Sequence, residues 1–176
     1  MYPCYREGIV TDGRESFPAG GIAAENLLYL ANWTIAGWLL WPVRLFGWPV
    51  ATLGWIALVV AIQVALKKHN CSGCYYYDKA CHLGWGKLAA LLFKQDSGDI
   101  KIGMRLSLFY ILSPPLMLVS ATLIGLLLSV TWVYWVGLGV YVALNAASFP
   151  LRIKGCRVCA MRKVCPGSAV KGATPS

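Results

Sequence analysis

The chain has 176 residues, of which 58% are hydrophobic and only 13% are charged. Ordinary soluble domains carry about 25% charged residues, so this composition excludes an ordinary soluble enzyme and indicates a membrane protein. The formal net charge is +9, and the basic residues lie outside the apolar stretches. Beside membrane-spanning segments such residues are expected to contact lipid headgroups, and no binding of nucleic acid is expected.

The longest uncharged stretches have the length of membrane-spanning helices, which need about 20 apolar residues. Two of them cover residues 26–43 and 45–66, and a third, residues 106–151, is long enough for two helices joined by a tight turn. The sequence therefore predicts an all-α integral membrane protein with four transmembrane helices. They form two hairpins, over residues 24–66 and 106–150.

The polar segment 1–21 is predicted to be irregular, and it lacks the basic start and apolar core of a cleavable signal peptide. The first helix, over residues 24–41, is expected to act as its own insertion signal. Pro42 and Pro49 bracket the turn that follows, because proline ends or starts helices. The second helix is predicted to run from Pro49 to Leu66.

Residues 67–105 form a predicted loop with a Cys-rich segment and a short helix. In that helix Leu88, Leu91 and Leu92 share one face with Trp85, and lysines stand at both ends. This pattern fits a helix lying in the membrane interface and equally fits a helix packed within the loop.

The third predicted helix starts near Met104 and contains two adjacent prolines, Pro114 and Pro115. Each proline removes a backbone donor, and its ring crowds a carbonyl about four residues earlier. We therefore expect this helix to bend or unwind around residues 109–113.

The fourth predicted helix covers residues 132–149 and is ended by Pro150, and residues 151–176 form a tail. Basic residues concentrate in the central loop and this tail, whereas the turns within the hairpins carry only Arg44. Under the positive-inside rule the central loop and both termini are cytoplasmic. An aromatic belt at the opposite interface is predicted from Trp41, Trp48, Trp132 and Trp135.

Six of the seven cysteines form two similar groups, each directly after a pair of predicted helices. The first group is Cys71, Cys74 and Cys81, and the second is Cys156, Cys159 and Cys165. The common order of helix, turn, helix, basic segment and cysteines is consistent with a parallel repeat, whose axis lies along the membrane normal. Cys4 has no partner at a comparable spacing.

Because the cytoplasm is reducing, these cysteines predict metal binding or redox chemistry and not a disulfide framework. The predicted metal ligands are Cys71, Cys74, Cys81, His82, Cys156, Cys159 and Cys165. Zinc is the expected metal, since two Cys-x-x-Cys turns from opposite halves can complete one tetrahedral four-thiolate site. The alternative is a [4Fe–4S] cluster on three spaced cysteines plus a distant one, and Cys165–Pro166 echoes the Cys-Pro ending of ferredoxin motifs.

The spacing of Cys71, Cys74 and Cys81 also resembles each half of the fungal binuclear zinc cluster, and the second group is one residue shorter. The resemblance implies a two-zinc arrangement with shared thiolates. It covers only the short cysteine segments, and it does not extend to DNA binding.

The predicted spans carry no deeply placed charge or histidine, which ion pathways and proton relays usually need, so transport is disfavoured. We therefore expect a non-enzymatic integral membrane protein with a cytoplasmic Cys-ligated metal site, acting as an accessory or assembly subunit of a larger membrane complex. One alternative is a membrane electron-transfer protein that carries iron–sulfur clusters near the inner surface. Another is a membrane thiol-disulfide oxidoreductase. The expected partners are membrane lipids and either other membrane subunits or further copies of this chain.

Overall fold

The computed structural model describes residues 13–165 and 168–170, and within these residues the fold is helical. A π-helical turn, Lys67–Cys71, continues the second helix. The α-helices are α1 (Ala19–Leu39), α2 (Val50–Leu66), α3 (Trp85–Leu92), α4 (Ile100–Ser107), α5 (Phe109–Leu127) and α6 (Trp132–Arg157). Cys4 and Pro166 lie outside the described residues.

Three helical segments are long and apolar enough to cross a membrane, namely Val50–Cys71, Ile100–Leu127 and Trp132–Arg157. The prediction of four such helices is therefore wrong for the described part of the chain. With 21 residues α1 is long enough, but Glu25, Asn26 and Asn32 interrupt its apolar sequence. The prediction counted uncharged length from residue 26, which leaves out Glu25 and does not penalise asparagine.

Helix α1 lies at the centre of the packing, in contact with both α2 and α6, and α5 contacts α6 on the other side. The core between α1, α5 and α6 consists of Ala36, Leu39, Met117, Ala121, Tyr134, Leu138 and Tyr141. The hydroxyl of Tyr134 lies 3.0 Å from the Leu39 carbonyl and 2.8 Å from the Ala121 carbonyl. One side chain on α6 therefore ties three helices together.

A second polar contact joins α1 to α6 between their ends. The side-chain amides of Asn32 and Asn145 donate to each other's oxygens over 3.2 and 3.0 Å. Hydrogen bonds of this kind between membrane helices contribute on average about 0.6 kcal/mol. The pair adds modestly to the packing and fixes the register of the two helices.

The connection between α1 and α2 contains a tight hairpin turn at residues 45–48. Leu45 and Trp48 exchange two backbone hydrogen bonds of 3.0 Å, and Phe46 and Gly47 have φ values of 50° and 82°, as a type I′ turn requires. The tryptophans of the predicted aromatic belt lie near this turn or near the start of α6, and each is exposed: Trp41, Trp48, Trp132 and Trp135.

Helix α6 continues through Pro150 as far as Arg157, so the predicted stop at Pro150 is wrong. In membrane helices, neighbouring helices and serine side chains satisfy the groups that a proline frees. Pro150 frees the carbonyl of Ala146, and in the same turn the Ser148 hydroxyl donates to the neighbouring Asn145 carbonyl over 2.9 Å. The continued helix ends with Cys156 buried.

A bend or unwinding was predicted around residues 109–113; these residues are α-helical, and Pro114 and Pro115 lie inside α5 as predicted. The interruption lies at Leu108, between α4 and α5. Its N–H donates to the Arg105 carbonyl over 3.1 Å, a three-residue spacing that marks a tighter turn than an α-helix. Its own carbonyl accepts from both Ile111, over 3.0 Å, and Leu112, over 2.9 Å, and the second of these bonds has the α-helical spacing.

Helix α3 packs beside the π-helical turn. It buries Gly86 and Ala89, while Leu88, Leu91 and Leu92 are exposed. The leucine face recognised in the sequence is therefore turned away from the rest of the described protein, which favours the prediction of a helix in the membrane interface.

Candidate functional site

The first group of cysteines lies on a loop built from consecutive tight turns. Cys71 ends the π-helical turn after α2, and the N–H of Cys74 donates to its carbonyl over 3.2 Å. The N–H of Tyr77 then donates to Cys74, over 3.0 Å, and that of Gly84 donates to Cys81, over 2.8 Å. Backbone hydrogen bonds therefore fix the positions of all three cysteines.

The second group begins on a helix and ends on a turn. Cys156 lies in the last turn of α6, and the N–H of Cys159 donates to its carbonyl over 3.2 Å. The N–H of Cys165 donates to the Met161 carbonyl over 2.8 Å. The position of Cys156 is thus set by helix packing, and those of the other two cysteines by the turns that follow.

Tyr76 connects the two groups. Its side chain is 1% exposed, its hydroxyl donates to the Arg14 carbonyl, and it accepts from the Ala160 N–H over 3.0 Å. The Arg14 N–H in turn donates to the Val158 carbonyl over 2.8 Å. The tail therefore folds back onto the central loop, as a site shared between the two halves requires.

The two groups enclose a cavity of about 150 Å³, which we call the cysteine cavity. Cavities of about this size take up a benzene-sized guest. All seven predicted ligands line it: Cys71, Cys74, Cys81, His82, Cys156, Cys159 and Cys165. Residues separated by almost half of the chain thus meet around one space.

The predicted convergence on a single metal ion is not found. In the described ranges, no three His, Cys, Asp or Glu side chains are arranged to hold one ion, although all six described cysteines line the same cavity. None of the six described cysteines forms a disulfide. This part of the structure therefore does not show the Cys-rich zinc site expected from the two Cys-x-x-Cys turns, and both zinc binding and the roles of the seven residues as ligands stay predictions.

The cavity environment favours protonated thiols. Burial raises the pKa of Cys74 well above its usual range, and the neighbouring Cys71, Cys165 and Cys81 raise it further. Burial raises the pKa of Cys159 to about 11, and Cys165 adds to this shift. A metal centre that binds here must therefore displace thiol protons, which makes its affinity depend on pH.

His82 separates the cysteine cavity from Glu25, whose carboxylate oxygen lies 3.9 Å from the imidazole Nε2. Burial and the positive charge of Arg152 lower the pKa of His82 to about 4. The imidazole is therefore neutral at pH 7, and this is the form that binds metals.

Two buried cations lie beside the thiols. Lys67 is 6% exposed, its Nζ lies 4.3 Å from the centre of the Trp85 ring, and it donates to the Gln63 side-chain oxygen over 3.3 Å. Arg162 is 4% exposed and donates to the Cys159 carbonyl over 3.4 Å. Both cations place positive charge next to the cysteine-bearing segments, and positive charge favours negatively charged groups nearby.

The sequence argument missed the aromatic part of the cavity wall, formed by Tyr29, Trp85 and Tyr110. Their ring centres lie 6.0 to 6.4 Å apart, and the guanidinium of Arg152 stands 5.8 Å from the Tyr110 ring. Arg152 could have been noticed as the first charge after the long uncharged stretch. The aromatic residues gave no signal, because they come from three separate parts of the chain.

Comparison with known proteins identifies no family for this chain. No family model matches it, and no match was found among curated proteins or solved structures. Its function is therefore inferred from the cysteine cavity and the side chains around it.

Proposed function

We propose that the protein is a membrane electron-transfer protein that holds an iron–sulfur cluster in the cysteine cavity. One arrangement supports this proposal best. Seven side chains of the kinds that bind metals line one cavity of about 150 Å³, and among the described residues no three of them are arranged around a single point.

The arrangement favours a cluster over a single zinc ion. Tetrahedral zinc with bonds of about 2.3 Å to sulfur requires its thiolates to lie about 3.8 Å apart. Each iron of a [4Fe–4S] cluster binds its own thiolate, so the four ligands surround the cluster and do not meet at one point. Cysteines spread around a cavity are therefore better suited to a cluster.

Charge and burial agree with this assignment. A cluster bound by four thiolates carries net negative charge, and the buried Lys67 and Arg162 would offset it. Hydrogen bonds, charge and solvent exposure set the potential of such clusters. The aromatic wall of Tyr29, Trp85 and Tyr110 would limit solvent on the side nearest the helices.

The proposal includes the orientation predicted from the basic residues, with the cysteine cavity and both termini on the cytoplasmic side. The exposed tryptophans near the opposite turns support this placement. The candidate spans also leave most of their surface uncovered, since at most 22% of each apolar window is buried. Lipid and partner helices are the expected contacts of these surfaces.

The proposal is tested by purifying the protein without oxygen and measuring iron, acid-labile sulfide and zinc per chain. We expect about four irons and four sulfides, a brown colour, and an electron paramagnetic resonance signal after reduction with dithionite. Cys81→Ser should lose most of the iron, whereas Lys154→Gln, at an exposed position on α6, should keep it. A protein that contains neither iron nor sulfide, even after anaerobic reconstitution, would refute the proposal.

The second candidate is an accessory subunit whose Cys-rich segments are stabilised by zinc. The uncovered surfaces of the helices favour it, because they leave room for partner subunits. A colourless protein with stoichiometric zinc and a stable association with other membrane proteins would support this candidate over the first.

A further inference from the structure

Helix α3 presents an apolar face that nothing in the described part of the structure covers. Leu88, Leu91 and Leu92 are 40%, 81% and 51% exposed, whereas Gly86 and Ala89 on the opposite side are buried. We infer that this face binds anionic phospholipids, with its leucines among the acyl chains and its lysines at the phosphates, and that the bound lipid steadies the central loop. This binding does not depend on what fills the cysteine cavity, so it stands apart from the proposed function.

The neighbours of α3 place it at the membrane interface. Its first residue, Trp85, has the Lys67 ammonium 4.3 Å from its ring centre, and Lys67 is the first charge after the uncharged stretch 45–66. The Trp85 ring centre also lies 6.3 Å from that of Tyr110, near the start of the uncharged stretch 106–151. Helix α3 therefore begins at the level where two candidate spans leave the apolar layer, and tryptophan and tyrosine are enriched at that level.

Hydrogen bonds at both ends hold α3 in this position. The Asn26 side chain on α1 donates to the Leu83 carbonyl over 3.0 Å and accepts from the Trp85 indole over 3.2 Å. At the other end the Tyr77 hydroxyl donates to the Phe93 carbonyl over 2.8 Å. A helix that is already formed and held in place binds a lipid surface without the ordering cost that a flexible segment incurs.

The charge around the leucine face complements an anionic leaflet. Residues 79–95 contain three lysines and no acidic residue, and Asp78 and Asp96 lie just outside this stretch. Two of the lysines are exposed at the two ends of α3, Lys87 in its first turn and Lys94 just after its end. Lysines beside an apolar face keep their stems against it and extend their ammonium groups outward, and each one near the surface strengthens binding to anionic lipid.

The amount of exposed apolar surface favours lipid over a protein partner. The face consists of three leucines on a helix of eight residues, which supply much less than the roughly 800 Å² that each partner buries in a stable protein–protein interface. Helices that lie in a membrane interface bind through this combination of a small apolar face and basic residues. The leaflet is also the apolar phase nearest to α3, because the helix begins where the spans leave it.

The buried side of α3 connects the lipid surface to the cysteine cavity. Gly86 packs against the central loop so closely that a Cβ there would lie 1.9 Å from the Tyr76 carbonyl oxygen and 2.6 Å from that of Lys79. Cys74 and Cys81 lie on either side of this contact in the sequence. A ligand that binds only the closed arrangement of a segment lowers the population of its open form. Lipid bound to α3 is therefore expected to reduce local opening of the loop between the two cysteines.

The first test titrates the full-length protein in detergent with phosphatidylglycerol or phosphatidylcholine and counts bound lipid by native mass spectrometry. We expect about tenfold tighter binding of phosphatidylglycerol. Lys87→Gln with Lys94→Gln should lose most of this preference, whereas Lys154→Gln with Lys163→Gln, the same charge change at exposed positions elsewhere, should keep it. Equal losses in the two double variants would overturn the assignment to α3. Displacement of the lipid by glycerol phosphate, which has the phosphate and no acyl chains, would also overturn it, because the leucines would then take no part in binding.

The second test locates the lipid. The full-length protein is placed in nanodiscs of phosphatidylcholine that contain a photoreactive phosphatidylglycerol, and crosslinked peptides are identified by mass spectrometry after illumination. We expect crosslinks between this lipid and the peptide covering residues 85–94. Crosslinks of that peptide to a second copy of the chain, without lipid crosslinks, would assign the face to an interface between copies and overturn the proposal.

The third test compares hydrogen exchange in nanodiscs of phosphatidylcholine alone and of phosphatidylcholine with phosphatidylglycerol. We expect exchange over residues 74–82 to be about tenfold slower when phosphatidylglycerol is present. Leu88→Ser with Leu91→Ser should remove this difference, whereas Val136→Ser with Val140→Ser, a matched exposed pair on α6, should keep it. Unchanged exchange in peptides of α1 identifies variants that remain folded. If the two lipid compositions give equal exchange over residues 74–82 in the unsubstituted protein, the bound lipid does not steady the central loop and this part of the proposal is wrong.

Discussion

Replacing Tyr76 with phenylalanine should loosen the tail from the central loop while leaving the helices intact. The change removes one hydroxyl, which accepts from the Ala160 N–H over 3.0 Å and donates to the Arg14 carbonyl. Ala160 is 2% exposed, so its N–H would be left buried without a partner. Arg14 is exposed, so its carbonyl is closer to water.

The size of the effect follows from this difference. A buried group that loses its partner costs about 1–3 kcal/mol, and only Ala160 is buried enough to incur that cost in full. We therefore expect about 2 kcal/mol, which increases local opening of the tail by a factor of about 30. Hydrogen exchange followed by mass spectrometry should show faster exchange in peptides covering residues 156–165, with helical peptides unchanged.

Tyr77→Phe is the matched control, because its hydroxyl donates over 2.8 Å to the Phe93 carbonyl, inside the central loop. Like Tyr76→Phe, this variant loses a side-chain hydrogen bond at a tyrosine of the central loop, but the lost bond does not involve the tail. If Tyr76→Phe and Tyr77→Phe change tail exchange equally, or not at all, then Tyr76 does not hold the two halves together.

Two further predictions concern packing and orientation. Gly86→Ala should destabilise the protein by about 1–3 kcal/mol in thermal unfolding, because the new Cβ would lie 1.9 Å from the Tyr76 carbonyl oxygen. Gly54→Ala is the control, because a Cβ there meets nothing within 4 Å. Equal losses of stability in the two variants would contradict the packing around Gly86. Arg44→Cys should react in intact cells with a thiol reagent that cannot cross the membrane, and Lys94→Cys should react only after lysis. Labelling of Lys94→Cys from outside would contradict the proposed orientation. The unsubstituted protein is the control, because it measures the labelling of the native cysteines.

The helices were largely predictable, because long apolar segments have few alternatives to helix in a membrane. The error at α1 came from treating asparagine as apolar. Asn32 is tolerated there because it pairs with Asn145 on α6, and this pairing depends on helix packing that a single segment does not reveal. Uncharged length identifies candidate spans, but it does not distinguish a lipid-facing helix from one whose polar groups find partners within the protein.

The prolines show the same limit. The local effects of proline predicted a stop at Pro150 and a bend or unwinding around residues 109–113. The helix instead continues through Pro150, and the interruption near Pro114 falls at Leu108, one residue before the predicted stretch. A proline removes a fixed set of backbone bonds, but packing of the flanking turns decides whether the helix continues, and the local sequence does not encode that packing.

The cysteine cavity was partly predictable. Spacing and repetition identified the residues that line it, since chemistry with thiols needs several of them in one place. Spacing could not show that they surround a cavity and do not meet at one point. Nor could it select Tyr76 from Tyr75, Tyr76 and Tyr77, because these neighbours differ only in the direction that the surrounding turns give them.

Different kinds of structure form the two sides of the cysteine cavity. Cys71 and Cys156 end helical segments that pack within the bundle, whereas Cys159 and Cys165 follow on turns. The link from these turns to the central loop includes the single hydroxyl of Tyr76. Turns lack the continuous hydrogen-bond ladder of a packed helix, and such segments open at lower free energy. Although Cys159, Ala160 and Met161 are buried against Tyr76, we therefore expect the tail side of the cysteine cavity to open before the helix side, and a cluster would enter from there.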